Sequence, residues 1–416
     1  MTQLTRRGFF GFAAAGAALA GGMQSRAARA EAKPAGVPAG APPITPAERT
    51  ARVAKLQSLM QRDKVAALLV EAGSSLEYFT GIRWWRSERT TAALIPASGQ
   101  VVVVTPFFEV PSVRESLEVD ADIRPWHEDQ NPFALLADAT QGYPSGAPLA
   151  VEGTTRFFIV DHARAVPGFG RPVVSGEALV NACRMVKSPA ELALIQSAND
   201  VTLAAIRHAH GAVKNGMTGP DIRALLYAQL EAAGCTDLFG LVLINEASAY
   251  PHGTDQPQAV RDGSIVLVDV GCRLHGYSAD ISRTWVQGEP TKRQREVWDT
   301  VRRGQEIVLE TARVGRPVGD LDIAVRDFYE GLGWAKDYGL PGTSHRAGHG
   351  LGMDVHEPPN LMRADRTPLE AGMCFSNEPG IYIPGEFGVR LEDIWHLTAE
   401  GPKLFTPLAK SIEEPV

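Results

Sequence analysis

Between residues 187 and 397 one order of signals is written twice: two helix signatures, then two strand signatures joined by a turn. The first round opens at Ser188-Pro189-Ala190-Glu191. A capping serine, a proline at the first helical position and a glutamate able to bond back to the cap start a helix that should run to near Val213. Thr218 with Asp221 opens a second helix, and Gly234 closes it. The apolar run 265–270, a turn at His275-Gly276 and the run 277–286 then read as a β-hairpin. In the second round a helix starts at Thr291 and runs to about Val314, another covers 320–332, and a hairpin follows at 375–383 and 389–397. The two rounds share little residue identity, so what recurs is architecture: an α+β domain with an internal pseudo-twofold duplication. Both hairpins should meet in one central sheet, with a site between them fed from both halves.

Each hairpin carries a pair of acids, Asp269 and Asp280 on the first, Glu378 and Glu392 on the second. Asp269 interrupts the run Ile265-Val266-Leu267-Val268, and a carboxylate buried there needs a cation or a good hydrogen-bond partner to offset its desolvation. An ion pair to Arg283 or Arg390 would satisfy any one of these acids. Four of them on repeated hairpins, with a histidine-rich segment between, point instead to a metal. That segment runs His345-Arg346-Ala347-Gly348-His349-Gly350-Leu351-Gly352-Met353-Asp354-Val355-His356-Glu357-Pro358-Pro359. Its glycines favour a tight loop over a helix, and the HExxH pattern of a helical zinc site is absent. One imidazole with four carboxylates is more than one zinc requires. It suits two divalent ions of the manganese, iron, cobalt or zinc type, a few ångströms apart and sharing carboxylates. The four cysteines, Cys183, Cys235, Cys272 and Cys374, form no CxxC pair, which argues against a thiolate zinc site and a disulfide scaffold. Cys272 and Cys374 lie near the acid-bearing strands and read as inert packing.

The 416 residues hold 41 basic and 48 acidic side chains, a net charge of −7, so the broad basic footprint of a nucleic-acid binder is missing. A hydrophobic content of 44% is enough for sizeable cores in more than one domain. Residues 1–30 read as a twin-arginine secretory signal. Arg6-Arg7 precedes an apolar stretch shorter than the roughly 18 residues of a membrane span, and Ala28-Arg29-Ala30 follows. The expectation is a periplasmic protein with no stable membrane insertion after signal cleavage. Residues 31–48, rich in Ala, Pro and Gly, read as a flexible leader. Residues 49–182 mix a helix over 52–62 with strand-like runs at 65–70, 91–95, 101–105 and 157–160, which makes an α/β N-terminal domain; 183–416 form the second domain.

Four pieces of the chain, in this order, resemble the pita-bread metallopeptidases, the family of methionine aminopeptidase, aminopeptidase P and prolidase. They are Pro251-His252-Gly253; Val268-Asp269-Val270-Gly271 with Gly276-Tyr277-Ser278-Ala279-Asp280-Ile281-Ser282-Arg283-Thr284; Gly348-His349-Gly350-Leu351-Gly352 with Val355-His356-Glu357-Pro358; and Asn377-Glu378-Pro379-Gly380 with Gly388-Val389-Arg390-Leu391-Glu392-Asp393. The resemblance covers roughly 51–400 and is closest to the aminopeptidase P/prolidase branch. It implies a creatinase-like N-terminal domain over 49–182 and a pita-bread catalytic domain over 183–416.

By that resemblance Asp269, Asp280, His349, Glu378 and Glu392 are the ligands of two divalent metal ions, manganese first, with cobalt, iron or zinc as alternatives. His252 and His356 flank the substrate and stabilise negative charge on the scissile carbonyl oxygen, while Glu378 also shuttles a proton. His345 and Arg390 stand on the substrate side, Arg390 bracing a ligand carboxylate. Trp84 and Trp85, between Arg83 and Arg86, could wall a pocket, because relatives offer this loop to a neighbouring subunit; a homodimer is expected on the same ground. The implied function is a dinuclear metal-dependent hydrolase that cleaves the amide bond before proline in small peptides. Prolidase-like sequences often place an arginine shortly after the HE-x-P segment to hold a dipeptide's carboxylate. Asn360 stands there, with Arg363 beyond, which puts an Xaa-Pro aminopeptidase, or a peptidase of looser specificity, slightly ahead of a strict Xaa-Pro dipeptidase. The alternative is a non-peptidase enzyme of the same fold acting on a small polar metabolite, of the creatinase, dimethylsulfoniopropionate lyase or ectoine-derivative hydrolase type. A catalytically dead binding module is disfavoured by the five retained ligands.

Overall fold

The computed structural model describes residues 40–416 apart from Ser145, so the secretory-signal reading on residues 1–30 lies outside the described residues. The end of the stretch read as a leader belongs to the fold. Ile44 is buried, and Thr45 caps a helix over Pro46–Asp63 in a capping box with Glu48.

Six strands of the N-terminal domain form one sheet in the spatial order Ala121–Trp126, Val101–Pro106, Ala92–Pro96, Ala67–Glu71, Leu149–Val151, Val173–Ser175. Side chains alternate along the strands. Leu68, Val70, Ile95 and Val103 enter one core, and Ala67, Leu69, Leu94 and Val104 another, so both faces are buried. The run 157–160, expected as a strand, lies in the helix Phe157–Ala165. Its buried residues are Ile159 and Ala163, one helical turn apart, and Phe157 points to solvent. Four apolar residues in a row carry no period that separates the two structures.

The first of these cores continues into the second domain through Leu194, Ile195, Tyr277, Leu351 and Met353. A polar clamp lies beside it. Arg184, at the end of the helix Glu177–Arg184, donates to Ser75 Oγ (3.0 Å), Asp354 Oδ2 (2.7 Å) and Glu357 Oε1 (2.5 Å), and Lys187 Nζ reaches Glu357 Oε2 (3.2 Å).

In the second domain the helices Pro189–Ala212 and Gly219–Ala232 start at the expected caps, Ser188 and Thr218. The strands Ile265–Leu274 and Tyr277–Val286 pair antiparallel around a two-residue turn in which His275 and Gly276 have φ of 48° and 87°. Two positive φ values in succession match the twist of the flanking strands, and glycine adopts the second without steric cost. The turn sets the register, with Gly271 opposite Asp280 and Asp269 opposite Ser282, so Asp269 and Asp280 stand diagonally on one face.

The order then recurs with helices Lys292–Thr311 and Gly319–Gly331 and a second hairpin, as a pita-bread duplication requires. That hairpin is broken in the middle. Cys374–Asn377 pairs with Asp393–Leu397 and Gly380–Ile383 with Phe387–Arg390, while Glu378-Pro379 and Leu391-Glu392 leave the ladder. The single central sheet expected from the duplication is therefore replaced by separate ladders of three, five and two strands. Pro379 has no N–H to continue the pairing, and the neighbouring amides turn elsewhere: Glu392 N–H donates to Ser282 O and Glu378 N–H to Ala347 O, both at 3.0 Å. The break thus falls at the two glutamates, and the backbone of Glu392 ties the second half to the first.

Candidate metal centre

His349 sits on the short strand Gly348–Gly350, which pairs on one side with Glu357–Leu361 and on the other with Cys374–Asn377. A Cβ at Gly350 would lie 2.5 Å from Glu357 O and 2.7 Å from Pro358 O, so only glycine lets these segments close on each other. Ser376 Oγ accepts the His349 backbone N–H at 2.9 Å and contacts Glu378 Oε1 at 3.2 Å.

The five residues expected as ligands converge. Asp269, Asp280 and Glu392 offer ligand atoms within 4.8 Å of one another; His349, Glu378 and Glu392 do the same, and so do Asp280, His349 and His356. His349 Nε2 is 3.2 Å from Glu378 Oε1 and 3.8 Å from Asp280 Oδ2. Asp269 Oδ1, Asp280 Oδ1 and Glu392 Oε1 are buried with no hydrogen-bond partner among the described residues. Burial first, then the charges of Glu392, Asp269 and Glu378, push the Asp280 carboxyl well above the usual range. Burial followed by Glu378 and Asp269 does the same to Glu392. Burial would also raise Glu378, but contact with His349 and the charges of His345 and Arg390 hold it below the usual range. Crowded, desolvated carboxylates with orphaned oxygens around one imidazole are what a divalent cation offsets, and the donor set of oxygens and one nitrogen suits such an ion.

Arg390 is bonded into the cluster. Its Nη2 donates to Asp269 Oδ2 (2.6 Å), Nε to Ser282 Oγ (3.1 Å), and Nη1 to Tyr382 Oη (2.9 Å) and Pro251 O (3.2 Å). His345 Nε2 lies 2.7 Å from the same Tyr382 hydroxyl, and Arg326 donates to His345 O at 2.6 Å. His356 meets His349 edge to face at 4.2 Å between ring centroids. The residue is exposed, yet partial desolvation, then the charges of His349 and Arg346, push it down to about 4. His252 lies in the loop after Pro251 and outside the three ligand groups. Trp84 and Trp85 stack on each other at 5.0 Å in the N-terminal domain, Trp84 against its core and Trp85 exposed, and among the described residues no hydrogen bond links them to the cluster. The four cysteines are free and buried, and burial pushes the Cys374 thiol up to about 12, which keeps it a thiol. Tyr382, Ser282, Ser376 and Arg184 were not singled out from the sequence. A hydroxyl in a strand and an arginine at a helix end carry no local signal of such a role.

The model of metallopeptidase family M24 matches residues 193–399, and that of the creatinase/prolidase N-terminal domain matches 52–186. The Xaa-Pro dipeptidase of Lactobacillus helveticus is 30% identical over 369 residues, covering 86% of this chain and 97% of that protein. The chain belongs to metallopeptidase family M24. It is a hydrolase of the aminopeptidase P/prolidase branch, built as a creatinase-type N-terminal domain followed by a pita-bread domain. The probable dipeptidase PepE of Mycobacterium tuberculosis is 32% identical, over 81% of this chain and 88% of its own length. The solved structure of dipeptidase PepE from Mycobacterium ulcerans superposes with a TM-score of 0.78 at 30% identity, covering 88% of this chain and 97% of that one. Among the described residues no helix is long and apolar enough to cross a membrane.

Proposed function

We propose that this M24 hydrolase holds two divalent metal ions, manganese first, on Asp269, Asp280, His349, Glu378 and Glu392, and cleaves the amide bond before proline in small peptides. The carrying observation is the set of three orphaned carboxylate oxygens beside His349. The naming of a relative as an Xaa-Pro dipeptidase supports the choice of bond. Bound divalent ions supply Lewis acidity for a carbonyl oxygen and acidify water. The chain's own groups do the rest. Glu378 keeps some solvent access, so its Oε2 can take the proton of the attacking water and return it to the leaving nitrogen. His356 donates a ring N–H toward the carbonyl oxygen as its charge grows, and His252 supports it from the loop that Arg390 anchors through Pro251 O. Arg390 holds Asp269 Oδ2, which leaves Oδ1 turned to the cluster.

Metal analysis of protein purified without added metal, coupled to a panel of Xaa-Pro peptides, proline-free peptides and small betaines, tests this reading. The expected result is about two metal equivalents per chain and hydrolysis confined to Xaa-Pro bonds, both lost in Asp280→Ala and His349→Ala. Turnover of betaines in place of peptides, or undiminished hydrolysis by fully metal-stripped protein, would overturn it. We propose as well that residues 1–30 direct export through the twin-arginine route and that the mature enzyme is a homodimer. Cell fractionation of a lysine-substituted Arg6-Arg7 variant and sedimentation of the purified chain check these two.

A further inference from the structure

His356 is exposed, and its ring meets His349 edge to face at 4.2 Å between centroids while making no hydrogen bond among the described residues. Its place is therefore set by the backbone that carries it, and that backbone is fastened on both sides of the histidine. Leu351 and Met353, just before it, are buried in the core shared with the N-terminal domain. Ser278 N–H donates to Gly352 O at 2.8 Å, and Ser278 Oγ to Met353 O at 3.1 Å. Asp354 and Glu357 then bracket the histidine, and one nitrogen, Arg184 Nη2, bridges both carboxylates at 2.7 and 2.5 Å. Arg184 itself lies within the segment that matches the creatinase-type domain. From the same domain Ser74 Oγ donates to Asp354 Oδ1 at 2.5 Å, while Ser75 Oγ accepts from Arg184 Nη1 and donates to Glu152 Oε1, both at 3.0 Å. Asp354 N–H closes the bend on Glu357 Oε1 at 3.1 Å. Beside the bend lies a cavity of about 310 Å³ lined in part by Glu152, Arg184, Asp354, His356 and Glu357, which gives the bend room to relax if the clamp is released.

We propose that Arg184 and Ser74 are positioning residues for His356, so that the creatinase-type domain sets the oxyanion-stabilising histidine of its own chain. The inference rests on the peptidase reading above and deepens it, because it gives the N-terminal domain a part in turnover. An exposed histidine on a free bend samples many ring positions, and only those beside the carbonyl oxygen stabilise its growing charge. A misplacement of about 1 Å costs on the order of 100-fold in rate. The clamp removes that freedom before substrate arrives. For stability alone, well-packed apolar residues serve an interface as well as buried ions do. A buried guanidinium that bridges two carboxylates adds direction, since its planar fork fixes where both acids, and the histidine between them, must stand.

The test is a double-mutant cycle with His356→Ala, read by steady-state hydrolysis of Ala-Pro and Ala-Pro-Ala by the metal-loaded full chain. Arg184→Lys keeps the charge without the planar fork, and Asp354→Asn changes a side chain that is 47% exposed, so both spare the fold that Arg184→Met would weaken. Each should lower kcat by about 10- to 100-fold, and Ser74→Ala by about 3-fold, with KM little changed and metal content as in wild type. In the His356→Ala background the same changes should lower kcat by less than about 2-fold, because the residue they position is gone. Equal losses in both backgrounds, or no loss in the wild-type background, overturn the proposal. A second readout needs no substrate: the His356 ring signal in zinc-loaded, ring-labelled protein, assigned by NMR with His356→Ala. It should shift or broaden in Asp354→Asn while that of His210, which packs against Trp285 instead, stays in place. An unmoved His356 signal overturns the positioning role even where the peptidase reading holds. Cleavage of neither peptide by wild type overturns the peptidase reading, and the ring signal alone then decides whether the clamp positions His356.

Discussion

In metal-free protein Asp280→Asn should stabilise the fold, and in metal-loaded protein the same change should weaken it. Asp280 is 5% exposed, and its Oδ1 has no hydrogen-bond partner among the described residues, so an amide forfeits no protein contact at that atom. Two carboxylate charges 4.8 Å apart, the outer limit within the Asp269, Asp280 and Glu392 group, repel by about 3 kcal/mol at an effective dielectric of about 20. Asp280 has two such neighbours, and partial protonation relieves some of the strain. The expected gain at pH 8 is therefore about 2–3 kcal/mol rather than the full sum. The sign follows from linkage. Burial and like charges raise the Asp280 carboxyl, so the metal-free fold binds more protons than the unfolded chain and loses stability as pH rises above the usual carboxyl range. The Asp280→Asn change should flatten that slope. Metal reverses the order, because ions that bind only the native state add about 2.7 kcal/mol at a hundredfold excess over Kd, and the variant forgoes this. Urea unfolding followed by fluorescence, at pH 8 with chelator and again with manganese, reads both effects. A variant less stable than wild type in chelator, or equal manganese stabilisation of both proteins, would refute the reasoning.

Arg184→Met should cost about 3–5 kcal/mol, because it leaves the buried Glu357 carboxylate with Lys187 alone; unfolding in urea measures it, and a loss under 1 kcal/mol, on the order of an exposed pair, would contradict the clamp. Burial alone would raise the Glu357 carboxyl, but Arg184 and Lys187 hold it near 2. Since the folded value lies below the usual 4.5, its stabilisation of about 3 kcal/mol is fully present above pH 4.5 and is lost as pH falls toward 2; an acid titration of stability should lose this limb in Arg184→Met. Tyr382→Phe removes the hydroxyl shared by His345 and Arg390, and kcat/KM should fall about 3- to 10-fold with the fold intact; an unchanged value would show that the relay does not position the cluster.

Local chemistry alone specified the helix starts at Ser188, Thr218 and Thr291, and all three carry capping boxes in the structure. The same holds for the turn at His275-Gly276, because it asks only for two left-handed residues in succession. The order of the duplication and the residue types gathered at the candidate centre were legible for the same reason: each is written in a short window. The helix Phe157–Ala165 was not legible, because its periodicity needs more residues than the apolar run supplies. Thr45 and Glu48 form the same cap as Ser188 and Glu191, but they lie in proline-rich wording that reads as a leader.

Tertiary structure decided what depends on residues far apart in the chain. The break in the second hairpin has no local signal beyond Pro379, yet it places Glu392 against the first hairpin and Glu378 beside His349. The same is true of Arg184 reaching Glu357, of Arg390 reaching Asp269 and of Arg346 reaching the Asn360 amide. A sequence names which side chains can bind a cation or a carboxylate. Which of them are left without a partner is set by burial and by the neighbours that folding brings within hydrogen-bond reach, and that is the property on which the site depends.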